Sequence, residues 1–407
     1  MLYSLYEAQH TALVPFRHVA EMWRGWFGNP FSPLSFIPMS REFTAGSDLF
    51  LRVTQRYEKP KWGLDSTLVD GKPVALEIEA ALEKPFCNLL HFKRLVDKPR
   101  KDPKVLLVAP LSGHHSTLLR DTVRALVPDH EVWITDWVDA RLVPLDAGPF
   151  HLADYVDYVR EFMRLLGPDL NVISVCQPTV PVLAAVSLSA QAGEAHPPKT
   201  MVMMGGPIDA RKSPTAVNNL ATKRPYSWFE QNVIHRVPAK YPGFMRRVYP
   251  GFLQHLGFVA MNPDRHLDAH WDYYNHLVQG DGDSADRHRD FYDEYNAVLD
   301  MPAEYYLDTI RTVFQDIALP KGRMFVREDL VRPQAIRETA LLTIEGELDD
   351  ISGNGQTEAA HLLCLNIPQS RREHYLAPGA GHYGIFSGRR WRETICPKIG
   401  AFIRQHG

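Results

Sequence analysis

The sequence predicts an α/β protein with a mostly parallel central sheet, helices on both faces and an inserted, mainly helical cap. Short aliphatic and β-branched runs alternate with segments of helical periodicity between residues 104 and 207. Such repeated strand–helix units favour a parallel sheet that is covered on both faces. The alternation stops near residue 209 and resumes near residue 340, which indicates a segment inserted between two strands. One strand ends in Cys176 and turns directly into a helix, which marks the candidate reaction centre.

The composition is typical of a globular protein: 407 residues, 45% hydrophobic and 23% charged, with a net charge of −3. One large domain with an insertion fits this length as well as two domains do. No excess of basic residues attracts nucleic acid or an anionic membrane. The four cysteines are far apart and lack C-x-x-C spacing, which argues against zinc or a redox dithiol and suits a reducing compartment. With no secretory signal and no run of ~20 apolar residues, we expect a cytoplasmic protein without a transmembrane segment.

Residues 1–28 are predicted to form one or two amphipathic helices, followed by antiparallel strands. Apolar side chains recur there at three- and four-residue spacing, namely Leu13, Phe16, Val19, Met22, Trp23 and Trp26. We expect this aromatic face to pack into the core, and contact with a granule or a membrane is the less favoured alternative. Strands are predicted at residues 49–57 and within residues 73–92, separated by a turn at residues 70–73.

The remaining pattern divides the chain into three regions. Strands are predicted at 104–110, 131–137, 171–175 and 200–207, with helices at 118–126, at 151–166 and after Pro178. Strands resume at 340–349 and 372–378, and a last helix covers about 389–404. We therefore predict that residues 1–208 hold N-terminal helices and the first part of the core, that 209–335 form the cap, and that 336–407 complete the core.

The segment around Cys176 has the pattern of a nucleophile elbow. A strand that turns sharply into a helix, with a nucleophile at the corner, is the elbow of the α/β-hydrolase fold. Here the corner residue is cysteine, which indicates acyl transfer through a thioester. The places two residues before and after it usually hold small residues, and they hold Ser174 and Pro178. Proline is acceptable in a first helical turn. The alternative is a buried structural cysteine.

Acyl transfer also needs a base and a group that orients the base. His382 is the candidate base, because the glycine-rich loop around it follows the last strand. Its imidazole can take the thiol proton and return it to a leaving alkoxide. Asp349 is the candidate orienting acid, because it follows the strand that begins near residue 340. Asp350 and Glu347 are the alternatives.

Donors for the oxyanion are expected at the backbone N–H of Gln177 and at that of Leu111 or Ser112, in the loop after strand 104–110. His114 and His115 are expected to line the site or to be solvated. Adjacent histidines face opposite ways on a strand, and no third metal ligand is evident. No metal and no cofactor are expected.

Five motifs together resemble the intracellular poly(3-hydroxybutyrate), or polyhydroxyalkanoate, depolymerases, a family of α/β-hydrolases with a cysteine nucleophile. They are V-C-Q-P at 175–178, V-A-P-L-S-G-H-H-S-T at 108–117, M-G-G-P-I-D-A-R at 204–211, I-E-G-E-L-D-D-I-S-G at 344–353 and P-G-A-G-H-Y-G-I-F-S-G-R-R-W at 378–391. The resemblance runs from the N-terminal MLYSLYEAQ to the end of the chain. It implies a triad of Cys176, His382 and Asp349 that hydrolyses ester bonds of polymer stored in cytoplasmic granules.

The products implied are 3-hydroxybutyrate or its oligomers, released from a cysteinyl thioester by water. The implied partner is the polymer at the granule surface. Coenzyme A is a candidate thiol acceptor in place of water, because a thioester reacts readily with thiols. A homo-oligomer is left open.

Two other functions remain as alternatives. One is a cysteine-dependent acyltransferase or thioesterase, such as an enzyme similar to polyhydroxyalkanoate synthases. The synthase elbow normally keeps glycine around its cysteine, so Ser174 and Pro178 favour the depolymerase. The other is a granule-coating protein with an inactive hydrolase fold, against which the elbow and the His382 loop argue.

Overall fold

A nine-stranded sheet runs through the centre of the computed structural model, which describes residues 2–98, 100–261 and 263–407. The strands are β1 (Ser66–Val69), β2 (Lys72–Glu83), β3 (Cys87–Arg94), β4 (Lys104–Val108), β5 (Glu131–Trp137), β6 (Leu170–Val175), β7 (Thr200–Met204), β8 (His235–Arg236), β9 (Arg247–Tyr249), β10 (Met301–Pro302), β11 (Phe325–Val326), β12 (Asp329–Leu330), β13 (Ala340–Gly346) and β14 (Arg372–Ala377). The helices are α1 (Leu2–Gly28), α2 (Ser40–Thr54), α3 (Arg120–Leu126), α4 (Leu152–Leu166), α5 (Thr179–Gln191), α6 (Ala216–Lys223), α7 (Tyr226–Asn232), α8 (Gly251–Met261), α9 (Pro263–Gln279), α10 (Gly282–Tyr295), α11 (Ala303–Thr309), α12 (Ala360–Leu363), α13 (Gly388–Arg390) and α14 (Cys396–His406).

The order of strands in the main sheet is β1-β2-β3-β5-β4-β6-β7-β13-β14. The pairs from β1 to β5 are antiparallel, and every pair from β5 to β14 is parallel. Because parallel strands end at one edge, the loops after β4, β6, β13 and β14 meet there. This topology is the predicted α/β-hydrolase fold, and β6 lies near its middle.

The strands around β6 are continuous apolar runs because both faces of the sheet are covered. All residues of β6, β7 and β13 are buried, as expected for parallel strands between helical layers. Helix α4 is amphipathic and buries one face, whereas α5 is buried almost all round. The helix that follows Cys176 is therefore held within the protein.

Residues 205–339 form the insertion, since they leave the sheet after β7 and return at β13, which pairs directly with β7. The insertion carries α6 to α11 and a small sheet with the order β10-β9-β8. Its position agrees with the region in which the predicted cap of residues 209–335 lies. The exact domain division stays a prediction.

The strand predicted at residues 49–57 is wrong, because residues 40–54 form helix α2. Its buried residues Ala45, Asp48 and Leu51 recur every three positions, so one helical face packs inward. The aliphatic run of residues 49–53 suits a strand locally, but packing against α1 and the insertion favours the helix.

Helices α1 and α2 form a structure that we call the N-terminal hairpin, residues 2–54. Phe27 stacks on Phe43 at 5.0 Å, and the Arg24 guanidinium donates to Asp48 at 2.9 Å. The hydroxyl of Tyr3 donates to Asp300 of the insertion at 2.7 Å. The expectation that its aromatic face packs into the core is wrong, because most of these side chains face outward. Phe16 is 64% exposed and Trp26 is 49% exposed.

Among the described residues, none of the helices combines the length and the apolar character needed to cross a bilayer.

Candidate active site

Cys176 occupies a strained corner between β6 and α5. Its φ of +69° lies in the left-handed region, which non-glycine residues rarely adopt. The Cys176 N–H donates to the carbonyl of Met204 at 2.7 Å, and the Cys176 carbonyl accepts from the Thr179 N–H at 3.2 Å. These bonds hold the corner from both sides. The strain and its position after a central strand match a nucleophile elbow.

Two glycines after β7 make room for this corner. A Cβ at Gly206 would collide with the carbonyl oxygen of Cys176 and the hydroxyl of Thr179. A Cβ at Gly205 would lie 3.3 Å from both Asp349 Oδ2 and His382 Cε1. From the sequence this Gly-Gly pair looks like a simple turn. In the structure it allows the elbow and the candidate triad to pack closely.

His382 and Asp349 are brought together at the same edge of the sheet. His382 Nδ1 donates to Asp349 Oδ2 at 2.7 Å, and the two side chains are 4% and 0% exposed. The other carboxylate oxygen accepts from the N–H groups of Ile351 at 2.9 Å and Ser352 at 2.8 Å. Asp349 is therefore held in one orientation, and so is the imidazole that donates to it.

The two alternative acids lie elsewhere. Asp350 is exposed, and no hydrogen bond joins it to His382 within the described residues. Glu347 is exposed too, and its carboxylate accepts from the N–H of Gly379 at 2.7 Å. The geometry thus favours Asp349 as the orienting acid.

His382 lies close enough to Cys176 for the charge of a thiolate to act on the imidazole. Burial disfavours the imidazolium, but the charges of a Cys176 thiolate and of Asp349, and hydrogen bonding from the imidazolium to them, outweigh this effect and hold the pKa of His382 well above the ordinary value of 6.5. A protonated imidazole beside a thiolate is the resting form of many cysteine nucleophiles. The three side chains therefore form a connected acid–base–nucleophile arrangement.

The other three cysteines are unsuited to nucleophilic chemistry. Cys87, Cys364 and Cys396 are buried. Burial raises the pKa of Cys364 and that of Cys396 to about 12, and it raises that of Cys87 well above its ordinary value. Cys176 is only partly buried and lines a cavity. Reactivity should therefore be confined to Cys176.

The predicted oxyanion donors lie around the same cavity, which has a volume of about 630 Å³ and is lined by Leu111, Ser112 and Gln177 together with Cys176 and His382. Within the described residues, the backbone N–H groups of Leu111, Ser112 and Gln177 donate to no protein acceptor. They are available to a ligand. Which of Leu111 and Ser112 points at the oxyanion stays a prediction.

The rest of the cavity is apolar and aromatic, and much of it comes from the insertion. Lining side chains include Leu118, Phe229, Tyr249, Phe258, Tyr305, Tyr306, Phe314 and Phe386. The sequence does not single out Tyr305 and Tyr306, although they follow a buried Met-Pro pair in β10. Tyr273 of the insertion lies outside this lining; it is buried and donates to Asp48 of helix α2.

His114 and His115 are both buried, so of the two expected places, lining the site or in solvent, solvent is excluded and His114 occupies the first. His114 lines the cavity, stacks on Phe258 at 4.9 Å and lies 3.2 Å from the carbonyl of Tyr295. Burial lowers the pKa of His114 to about 4 and that of His115 to about 3. Both rings are therefore neutral near pH 7.

Residues 205–407, the C-terminal half of the chain, match the family model described as "PHB de-polymerase C-terminus". This span contains Asp349 and His382, and it leaves Cys176 outside. No curated protein matches the chain.

Several solved structures are similar at low identity. A putative lipase from Acinetobacter baumannii is 12% identical, with a TM-score of 0.43, covering 81% of this chain and 93% of that one. The Paleococcus ferrophilus monoacylglycerol lipase is 12% identical, with a TM-score of 0.42, covering 75% and 95%. The 2-hydroxy-6-oxo-6-phenylhexa-2,4-dienoate hydrolase from Rhodococcus sp. is 13% identical, with a TM-score of 0.45, covering 81% and 100%.

Proposed function

Since the chain belongs to the PHB depolymerase family of α/β-hydrolases, we propose that it is an intracellular depolymerase that hydrolyses the ester bonds of stored poly(3-hydroxybutyrate) through a Cys176 thioester. The observation that carries this proposal is the placement of Cys176 at a strained corner beside the hydrogen-bonded pair of His382 and Asp349. Nucleophile, orienting acid and base follow one another along the chain in the order typical of the fold.

In the proposed mechanism the Cys176 sulfur attacks an ester carbonyl of the polymer. A new S–C bond forms, and the backbone N–H groups at Gln177 and at the loop of Leu111 and Ser112 hold the oxyanion. The C–O bond of the ester then breaks, and the leaving alkoxide takes a proton from the His382 imidazolium. Water, deprotonated by His382, releases the hydroxyacid and restores the thiol. Asp349 keeps the imidazole in the orientation that both steps need.

The cavity supports a neutral, apolar substrate. Among its described lining residues there is no Lys, Arg, Asp or Glu. An aliphatic polyester has no charge along its chain, so it can enter such a cavity without leaving ions unpaired. The phosphates of a coenzyme A ester would need cations that these residues do not offer. This favours a depolymerase over a synthase-like acyltransferase.

The decisive experiment measures product release from amorphous poly(3-hydroxybutyrate) granules. Wild type should release 3-hydroxybutyrate or its oligomers, and Cys176→Ala should release none above background. Cys364→Ala is the matched control, because it removes a buried thiol outside the cavity and should leave the rate within about twofold. Cys176→Ser should be strongly impaired, since an alcohol is far less acidic than a thiol. Equal product release by wild type and Cys176→Ala would exclude the thioester, and no release above background by either protein would favour an inactive coat protein.

Two further arms of that experiment address the remaining alternatives. Adding coenzyme A tests whether a thiol replaces water, and hydroxybutyryl-CoA above the no-enzyme level would support it. Incubating the protein with hydroxybutyryl-CoA alone tests synthesis. Growth of polymer in that arm would contradict the depolymerase and support the synthase-like alternative.

We also propose that the N-terminal hairpin contacts the granule surface. It exposes many large apolar side chains, among them Leu5, Phe16, Met22, Trp23, Trp26, Phe31, Phe36 and Met39. Exposed apolar surface of this extent indicates an interaction site. Residues 2–54 carry four arginines and four acidic residues, so their formal charge is zero with neutral histidines. An uncharged polyester fits such a surface, whereas an anionic membrane would attract basic residues.

Co-sedimentation with granules tests this contact. A Trp23→Gln/Trp26→Gln variant should bind granules at least about fivefold more weakly, while its rate on a soluble ester stays near that of wild type. Leu362→Gln on α12 is the control, because Leu362 is 66% exposed but lies outside the hairpin. Unchanged granule binding would contradict the proposal. If the double substitution instead converts a dimer into a monomer, the hairpin serves contact between copies of the chain.

A further inference from the structure

Two polar atoms at the cavity lack a well-aligned hydrogen bond within the part of the chain that the structure describes. The hydroxyl of Tyr305 and the amide oxygen Oε1 of Gln177 are buried, and neither makes a well-aligned hydrogen bond to a described residue. Tyr305 is 1% exposed, and both residues line the cavity with Cys176. Unpartnered buried polar groups are unfavourable and rare in native proteins, so they call for an explanation. A bound ligand that supplies the missing partners is such an explanation.

The two groups lie close to each other and to the nucleophile. Burial raises the pKa of Tyr305 well above its ordinary value; the Gln177 amide lies near enough to the hydroxyl to lower this pKa by hydrogen bonding, and the charge of a Cys176 thiolate raises it. Tyr305 therefore stays protonated and can donate a hydrogen bond. Gln177 follows Cys176 directly in the chain. A donor and an acceptor thus stand side by side next to the sulfur.

Their positions are fixed by packing. The ring of Tyr305 stacks on that of Tyr155 at 5.5 Å, with an angle of 14° between the planes. The hydroxyl of Tyr155 donates in turn to the carbonyl of Ala109 at 3.1 Å. The backbone of Gln177 is held by the turn between β6 and α5, and its side-chain oxygen Oε1 is buried. The pair is therefore preorganised and needs little ordering when a ligand binds.

The chemistry of a polyester decides what this pair can recognise. Internal units offer only carbonyl and ester oxygens, which accept hydrogen bonds and donate none. The tyrosine hydroxyl could pair with any of them, but the amide oxygen of Gln177 could not. The group of the polymer that both accepts and donates at neutral pH is the hydroxyl at the end of the chain. Its oxygen lies two carbons from the carbonyl carbon of the same unit, close to the atom that the sulfur attacks.

We propose that Tyr305 and Gln177 bind the free 3-hydroxyl of the terminal unit, so that the enzyme removes units one at a time from the hydroxyl end. This inference rests on the proposed depolymerase function. Attack by Cys176 forms a thioester to the terminal hydroxyacyl unit and breaks its ester bond to the next unit. The leaving oxygen takes the proton from His382 and becomes a new terminal hydroxyl. The shortened chain then presents the same group again.

Soluble esters test the role of the pair. Wild type should hydrolyse p-nitrophenyl 3-hydroxybutyrate with a kcat/KM at least about tenfold above that for p-nitrophenyl butyrate, which lacks the hydroxyl. Tyr305→Phe and Gln177→Met should bring this ratio close to one. Tyr158→Phe is the matched control, because Tyr158 lies outside the cavity lining, and its ratio should equal that of wild type. A ratio unchanged in Tyr305→Phe, or an equal loss on both esters, would overturn the proposal.

Capped oligomers test the direction of cleavage. Acetylating the hydroxyl end of a 3-hydroxybutyrate oligomer should slow its hydrolysis at least about tenfold, whereas a methyl ester at the carboxyl end should not. Equal rates on free and acetylated oligomers would overturn the inference and leave the proposed function intact. If wild type cleaves neither oligomers nor granules, the proposed function itself fails. The two failures are therefore distinguishable.

Discussion

Replacing Asp349 by asparagine removes the charge behind His382 and leaves the local backbone bonds available. In wild type one carboxylate oxygen accepts from His382 at 2.7 Å, and the other accepts from the N–H groups of Ile351 and Ser352. The amide oxygen of an asparagine can keep the two backbone bonds. Its NH₂ group then faces Nδ1 of the imidazole and forces the ring proton onto Nε2. An imidazole protonated there cannot take the thiol proton.

The expected loss is large because this side chain is fully buried and water cannot replace it. The same change in serine-protease triads lowers kcat roughly 10⁴-fold, which corresponds to about 5 kcal/mol of activation free energy. Asp350→Asn is the matched control, since Asp350 is the exposed neighbour and should retain wild-type activity. Initial rates on a soluble 3-hydroxybutyrate ester and on amorphous granules measure both. If the initial rate of Asp349→Asn lies within about threefold of that of Asp350→Asn, the assignment of Asp349 as the orienting acid is refuted.

The pH dependence gives a second readout of the same change. The Cys176 thiolate and the Asp349 carboxylate together hold the pKa of His382 above 6.5 against the effect of burial. Without the carboxylate this pKa falls, so the thiolate–imidazolium pair loses its proton at lower pH. The alkaline limb of kcat/KM should therefore move to lower pH in Asp349→Asn. An unchanged limb would show that another group sets it.

The free energy of unfolding should also depend on pH through the protonation of His382. Because the folded pKa of His382 lies above its unfolded value near 6.5, the folded state holds this proton more tightly. That stabilisation is complete below about pH 6.5 and is lost as the pH rises through the folded pKa. The decline of the free energy of unfolding with rising pH should thus be shallower in Asp349→Asn, as measured by urea denaturation at several pH values.

Three further changes test the surroundings of the site. Gly206→Ala should lower kcat by roughly 10²-fold, because the new methyl group displaces the Cys176 carbonyl and with it the nucleophile. Gly25→Ala is the control: no atom lies within 4 Å of the added Cβ, so this variant should keep wild-type rates in the same assay. Iodoacetamide should alkylate Cys176 before the buried cysteines. The rate of Cys176 alkylation, followed by mass spectrometry, should be at least about tenfold lower in His382→Ala than in wild type. Equal alkylation rates in wild type and His382→Ala would contradict the thiolate–imidazolium pair. Tyr3→Phe should lower the free energy of unfolding by about 1.5–3 kcal/mol in urea denaturation, because it removes a hydrogen bond to the buried Asp300. Leu5→Ala, at an exposed site of α1, is the control and should change the free energy of unfolding by less than about 0.5 kcal/mol.

The parallel part of the sheet could be predicted because its strands are short, apolar and separated by helical periods. The placement of Cys176, His382 and Asp349 at one edge follows from that topology alone. The N-terminal region was harder, since residues 49–57 suit a strand locally, whereas residues 49–54 form the end of helix α2 through contacts with distant elements. The outward aromatic face of α1 was also missed, because periodicity shows that a face is apolar and does not show what covers it.

The cavity lining could not be predicted for a related reason. Tyr305 and Tyr306 lie more than a hundred residues from Cys176 in the chain, and no local motif distinguishes them from the other tyrosines of the insertion. Only the fold of residues 205–339 brings them beside the nucleophile. The choice between Asp349 and its neighbours likewise depended on side-chain orientation, which the spacing of an acidic turn leaves open.

The elbow shows how a close approach can be made without the usual small residues beside the nucleophile. Ser174 is fully buried within β6, where its hydroxyl donates to the carbonyl of Val202 at 3.2 Å, and Pro178 directly precedes α5 with a φ of −61°. Neither residue opens space around the Cys176 carbonyl. Gly206 does so from the neighbouring chain, because any side chain there would meet that carbonyl. The position that must hold a small residue is therefore Gly206, in the loop after β7, and not a neighbour of Cys176 in the elbow. Gly206 belongs to the M-G-G-P motif.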